Sequence, residues 1–152
     1  MSTYTLTLLP GRYAVCLLPP AAPVPPWIAM RWAATGDFLS ITRTADELSI
    51  ICTQDALPPN PPPDATTARD WVLLRVEGPF DFDVTGVLAA LSAVLAAADV
   101  VLLAVATYQT DYLLVKAAQF DRAVVALTAA GHTLHPSQTM PSQTIPSESD
   151  AK

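Results

Sequence analysis

The chain has 152 residues, 51% of them apolar and 14% charged, with 14 acidic against 8 basic side chains and a formal net charge of −6. That length holds one domain or two small fused modules, and the composition suits a substantial buried core. Binding to a phosphate backbone requires clustered Lys and Arg; the sequence has no such cluster, so nucleic acid is not an expected partner.

In chain order, residues 12–18 read as a strand. The prolines of 19–26 break regular structure before a short helix over 27–32. Two alternating runs, 38–43 and 47–52, are joined by Thr44, Ala45 and Asp46 and predict an antiparallel hairpin with Leu48, Ile50 and Cys52 on one face. Residues 58–63, Pro-Pro-Asn-Pro-Pro-Pro, admit neither a helix nor a central strand and read as an extended connector.

Beyond the connector, 71–77 alternates as a strand ended by Gly78 and Pro79. Asp81 or Asp83 is placed to cap the next helix, with Val84, Val87, Leu88, Leu91 and Leu95 along one side. The apolar run 86–106 is long enough to span a bilayer, but Asp99 interrupts it at an insertion cost of about 3 kcal/mol. Ala and Leu dominate before Asp99, and Val-Val-Leu-Leu-Ala-Val follows it, so helix then buried strand explains both halves without a membrane. Residues 100–107 and 112–116 form a second hairpin. An amphipathic helix over 119–130 turns Phe120, Val124 and Leu127 inward and stops at Gly131, and 133–135 is a last strand.

The second half is therefore β-α-β-β-α with a last strand over 133–135, the ferredoxin-like order, and the first half repeats a shortened version whose second helix is either reduced to 53–57 or lost. The expected fold class is α+β, two packed ferredoxin-like modules with the first shortened. The expected boundaries are 1–63 including the connector, 64–135, and a disordered polar tail over 136–152.

Catalytic signatures are scarce: GxGxxG, GxxxxGK[ST], CxxC and HExxH do not occur, and neither cofactor nor metal is expected. His132 and His135 read as solvated histidines, and Cys16 and Cys52 as reduced core residues. The first residues lack the basic start and apolar run of a signal peptide, so a cytoplasmic location is expected.

Two segments stand out. Residues 76–88 run from a strand through a loop into a helix whose first N–H groups could hold a carboxylate, with Gly86 permitting close approach; an ordinary turn and cap explains the segment equally. Residues 106–116 crown a hairpin with polar groups. There Asp111 could pair with an ammonium group that the Thr107 and Thr110 hydroxyls orient, and turn chemistry again explains them equally.

Taken with Ser40-Ile41-Thr42-Arg43-Thr44 and the strand 47–52, these segments make residues 8–132 resemble a family of small ACT-domain proteins. That family is in turn similar to the ACT repeats of aspartate kinases and to animal cytosolic arginine sensors. The resemblance implies a non-enzymatic, allosteric homodimer that binds a free amino acid at an interface between modules. It maps Asp83, Thr85, Gly86 and Val87 to the start of the helix, Thr107, Thr110 and Asp111 to the opposing hairpin, and Ser40, Ile41 and Thr42 to the first module's strand. Ala106 and Gln109 depart from the family pattern and remove one hydroxyl and one carboxylate. The rival expectation is a structural or interaction protein whose modules pair without ligand.

Overall fold

A computed structural model describes residues 2–32 and 38–137. Of the tail expected over 136–152, residues 138–152 lie outside the described residues, whereas Pro136 ends a strand and the Ser137 N–H bonds Leu8 O at 2.7 Å.

The elements follow the predicted order with one addition at the start. They are β1 (Thr5–Leu8), β2 (Tyr13–Leu18), α1 (Pro26–Trp32), β3 (Ser40–Arg43) and β4 (Leu48–Thr53), then a 3-10 turn at Gln54–Ala56 and β5 (Thr66–Val76). α2 (Val87–Ala97), β6 (Leu102–Ala106), β7 (Asp111–Lys116), α3 (Phe120–Ala129) and β8 (Thr133–Pro136) complete the chain. The reduced helix expected at 53–57 is that single 3-10 turn. The ferredoxin-like unit β5-α2-β6-β7-α3-β8 and the shortened β2-α1-β3-β4 unit are both present.

The eight strands form one sheet built around β5. β7 pairs along one edge of β5, and β6 pairs outside β7. β2 and β1 follow each other along the opposite edge, Tyr13 facing Trp71 and Leu8 facing Leu74. Strands β4 and β3 extend the sheet beyond β2. β8 pairs parallel to β1, so β1 is inserted between β5 and β8.

Strand alternation sorts the side chains into two faces. Val72, Leu74 and Val76 of β5 join Leu113 and Val115 of β7 beneath α2 and α3, where Leu91, Leu95 and Leu127 are fully buried. On the same side, Ala14, Cys16 and Leu18 of β2 and Leu48, Ile50 and Cys52 of β4 pack against Ile28 of α1. Cys16 and Cys52 are free thiols in this cluster; Cys52's hydrogen bond to Cys16 and its burial push that thiol's pKa up. Tyr13, Trp71, Leu73 and Leu114 form a third buried cluster on the opposite face, to which no helix among the described residues contributes.

Helix ends are set by local chemistry. α3 stops in a Schellman arrangement, the Gly131 N–H bonding Thr128 O and the His132 N–H bonding Leu127 O, both at 3.0 Å, with Gly131 at φ +91°. α2 stops in the same way at Asp99, φ +57°, with bonds from Asp99 N–H to Ala96 O and from Val100 N–H to Leu95 O at 3.0 Å. The long apolar run is therefore a helix, a turn at Asp99 and a strand. No helix among the described residues is long and apolar enough to cross a membrane.

Candidate functional site: a loop–hairpin seam and a helix-free face

The structure joins the two segments that sequence analysis singled out. The β5–α2 loop and the β6–β7 turn meet through three contacts. The Thr110 hydroxyl donates to Val76 O, the Phe80 N–H donates to Gln109 O at 2.9 Å, and the Phe82 and Tyr108 rings meet edge to face at 4.8 Å. A Cβ added to Gly78 would lie 3.0 Å from Gln109 O, so a bare backbone is what allows this approach. Within the turn, the Thr107 hydroxyl donates to Thr110 O at 2.8 Å and accepts from the Thr110 N–H at 3.3 Å. The Thr110 hydroxyl thus ties the seam, and the Thr107 hydroxyl shapes the turn.

Asp111 opens β7 opposite Ala106 and is half-buried. At the start of α2, Gly86 occupies the N-cap position at φ +85°, and no side chain caps the helix. The aspartate cap expected from sequence is therefore corrected: Asp83 and Thr85 are exposed loop residues, and a left-handed glycine makes the turn into the helix. With no side-chain cap, the first N–H groups of α2 lack an intrahelical partner, and nothing lies within 4 Å of where a Gly86 Cβ would be. Val87 is buried in the core beneath the helix.

Ser40, Ile41 and Thr42 lie on β3 at the outer edge of the sheet. In strand order β4, β2 and β5 lie between β3 and β7, yet Phe38, two residues before Ser40, packs on Tyr112 of β7 with ring centroids 4.8 Å apart, so the chain entering β3 approaches β7 across the helix-free face.

The helix-free face carries a constellation that sequence analysis passed over. Tyr112 of β7, Arg75 of β5, Thr7 of β1 and His135 of β8 are successive cross-strand neighbours. Arg75 Nη2 contacts Glu77 Oε1 at 3.0 Å, and the Thr7 hydroxyl donates to the same oxygen. The Thr7 hydrogen bond, then that from Arg75, hold the Glu77 carboxyl below its usual pKa. Two hollows flank Arg75. One, of about 550 Å³, is lined by Glu77, Gly78, Thr107, Gln109 and Thr110. The other, of about 520 Å³, is lined by Leu9, Tyr13, Phe38, Leu39 and Thr53; Arg75, Thr107 and Tyr112 belong to both. The signal was available: Leu73, Arg75 and Glu77 share one face of a strand, so two charges continue an apolar stripe.

The expectation of two solvated histidines is half corrected. His135 is exposed, but His132 is 5% exposed, stacks on Tyr4 with ring centroids 5.7 Å apart, and accepts the Tyr4 N–H at Nδ1. Burial holds its pKa below the ordinary value. Among the described residues no cluster of His, Cys, Asp or Glu is placed to hold a metal ion.

Comparison with known proteins accords with this architecture. Residues 66–129 match the ACT domain model, and residues 11–60 match a second family model described as an N-terminal domain. A crystal structure of an Agobacterium tumefaciens protein is 32% identical over 91% of this chain and 97% of its own, with a TM-score of 0.78. The chain belongs to the ACT-domain protein family. Its fold is shared with an aspartate kinase from Synechocystis, 18% identical over 91% of this chain and 28% of the kinase, at TM-score 0.62. It is also shared with the ligand-free regulatory subunit of aspartate kinase from Thermus thermophilus, 15% identical over 80% of this chain and 93% of that one, at TM-score 0.53. A search of curated proteins finds no match in sequence.

Proposed function

We propose that this chain is a non-catalytic regulatory protein that binds a free amino acid at an interface between ACT modules and acts as a homodimer. The observation that carries this reading is the seam. It holds the uncapped start of α2 and the first residue of β7 at one end of the sheet, locked by Phe80, Gln109 and Thr110. In this reading the open N–H groups of α2 beside Gly86 take the ligand carboxylate. Asp111 takes its ammonium group, and Ser40, Ile41 and Thr42 come from the second copy. The regulatory subunit that shares the fold supports the same role. Regulation follows from differential affinity: the ligand favours whichever arrangement of modules binds it more tightly, and a partner responds to that arrangement. A ligand-free pairing module is the second reading, favoured by the exposed Phe82 and Tyr108 rings at the seam, 76% and 79% accessible.

A thermal-shift panel of amino acids separates the two, because a ligand at 100 times its dissociation constant adds about 2.7 kcal/mol of stability. For the amino acid that scores, Asp111→Ala and Asp111→Asn are expected to lose about 2–5 kcal/mol of binding while remaining folded. An Asp111→Ala protein that binds normally yet unfolds earlier would show that Asp111 only supports its turn. A panel in which no amino acid shifts the transition leaves the pairing module as the function.

A further inference from the structure

We infer that the helix-free face carries a separate binding site for an α-amino acid with an aromatic side chain, centred on Arg75 and Glu77. This goes beyond the interface reading, since its charged groups and its aromatic wall are other residues on the helix-free face, while Thr107, Gln109 and Thr110 of the seam line its polar hollow.

Charge comes first. A guanidinium has five N–H donors, and Arg75 spends one on Glu77, so it keeps donors for a carboxylate. Glu77 receives both of its side-chain hydrogen bonds at Oε1, leaving Oε2 without a partner among the described residues. The clamp from Thr7 and Arg75 keeps this carboxylate ionised. An opposite pair in which Arg75 keeps unspent donors and Glu77 keeps a free acceptor oxygen matches the two charged groups of a zwitterion, which share one carbon and cannot separate far.

Shape decides the rest. Arg75 stands between the polar hollow, where Glu77 lies, and the hollow walled by Leu9, Tyr13, Phe38, Leu39 and Tyr112. Phe38 packs against both tyrosines of that wall, with ring centroids 6.2 Å from Tyr13 and 4.8 Å from Tyr112. Rings attract further rings edge to face or offset. Each hollow is also within the range of about 300–1,000 Å³ typical of small-molecule sites. A ligand with its carboxylate on Arg75 and its ammonium on Glu77 therefore places an aromatic side chain in the second hollow.

Calorimetric titration of the full chain with L-phenylalanine, glycine, 3-phenylpropanoate and phenethylamine tests the site. L-Phenylalanine is expected to bind at least about tenfold more tightly than any of the other three, each of which lacks the ring or one charge. Arg75→Gln should weaken L-phenylalanine at least about tenfold, and Phe38→Ala should weaken it while sparing glycine. Glu77→Gln should weaken L-phenylalanine but not 3-phenylpropanoate. Denaturant midpoints of the variants verify folding, and Phe38→Ala stands in if Arg75→Gln does not fold. L-Phenylalanine affinity unchanged by both Arg75→Gln and Phe38→Ala overturns the site, as does no binding at millimolar concentration. L-Phenylalanine binding that is lost through Asp111→Asn and not through Arg75→Gln overturns this inference and keeps the interface reading. Loss through Arg75→Gln and not through Asp111→Asn supports this inference, and the amino-acid panel with Asp111→Asn then tests the interface reading by itself.

Discussion

His132 shows how a single residue escapes a sequence reading. It follows a helix stop and precedes polar residues, so nothing local predicts burial; its partner is Tyr4, at the other end of the chain. Because burial holds its pKa below 6.5, the unfolded chain takes up a proton near that pH while the folded chain does not. Stability is therefore present above pH 6.5 and falls as pH drops, until the folded form protonates too. We expect the melting temperature to decline between pH 7.5 and 5.5, and His132→Gln to flatten that decline. His132→Ala removes the acceptor of the Tyr4 N–H and should cost about 1–3 kcal/mol at pH 7.5. A His132→Gln protein with the parental pH profile would show that another group carries the dependence. Asp83 teaches a related lesson: an acidic residue before an apolar run suggests a cap, but a left-handed glycine turns the corner nearer the helix.

Among the elements, most strands and both long helices were legible because each carries its own periodicity. Leu48, Ile50 and Cys52 alternate inward as predicted, and Gly131 ends α3. α3 turns Ala123 and Leu127 fully inward, with Phe120 and Val124 half-buried. Two features were not legible. β1 is only four residues long, and its partners lie at Leu74, Arg75 and Val76 and at Thr133 to Pro136, so its stability comes wholly from distant chain. The start of β5 is the polar stretch Thr66 to Asp70, held by backbone pairing with β2 and by the Asp70 N–H bonding Gln54 Oε1 at 2.8 Å. Because Leu6 of β1 is 0% exposed within the core beneath α2 and α3, Leu6→Ala should cost about 2–5 kcal/mol. Urea denaturation checks this, and a loss below about 1 kcal/mol would mean that β1 contributes little to the fold.

For the whole molecule, the recurring element order of the two units in one sheet was readable, whereas the candidate site was readable only in part. The seam segments were found because each is a local run of polar residues around a turn. Arg75, Glu77 and Tyr112 were passed over because they become a site only when β5, β1 and β7 are laid side by side. Around the start of α2, Phe82, Val84, Leu88 and Tyr108 are exposed apolar side chains, a surface suited to a second copy. We expect light scattering to give about twice the monomer mass, and Phe82→Glu with Tyr108→Glu to shift that mass toward the monomer. A monomer mass for the parent protein at every concentration would remove the pairing surface and the role assigned to Ser40, Ile41 and Thr42 in a partner.

The position of β1 also orders events during synthesis. Chains emerge from the ribosome N-terminus first, so β1 leaves before either of its neighbours exists. Its slot is complete only when β8, the last strand in the described chain, has been made, and β8 has no strand neighbour but β1 among the described residues. Among the described strands, the first to be made is thus flanked on both sides only after the last, and Leu6 and Leu8 stay incompletely covered until α3 and β8 exist.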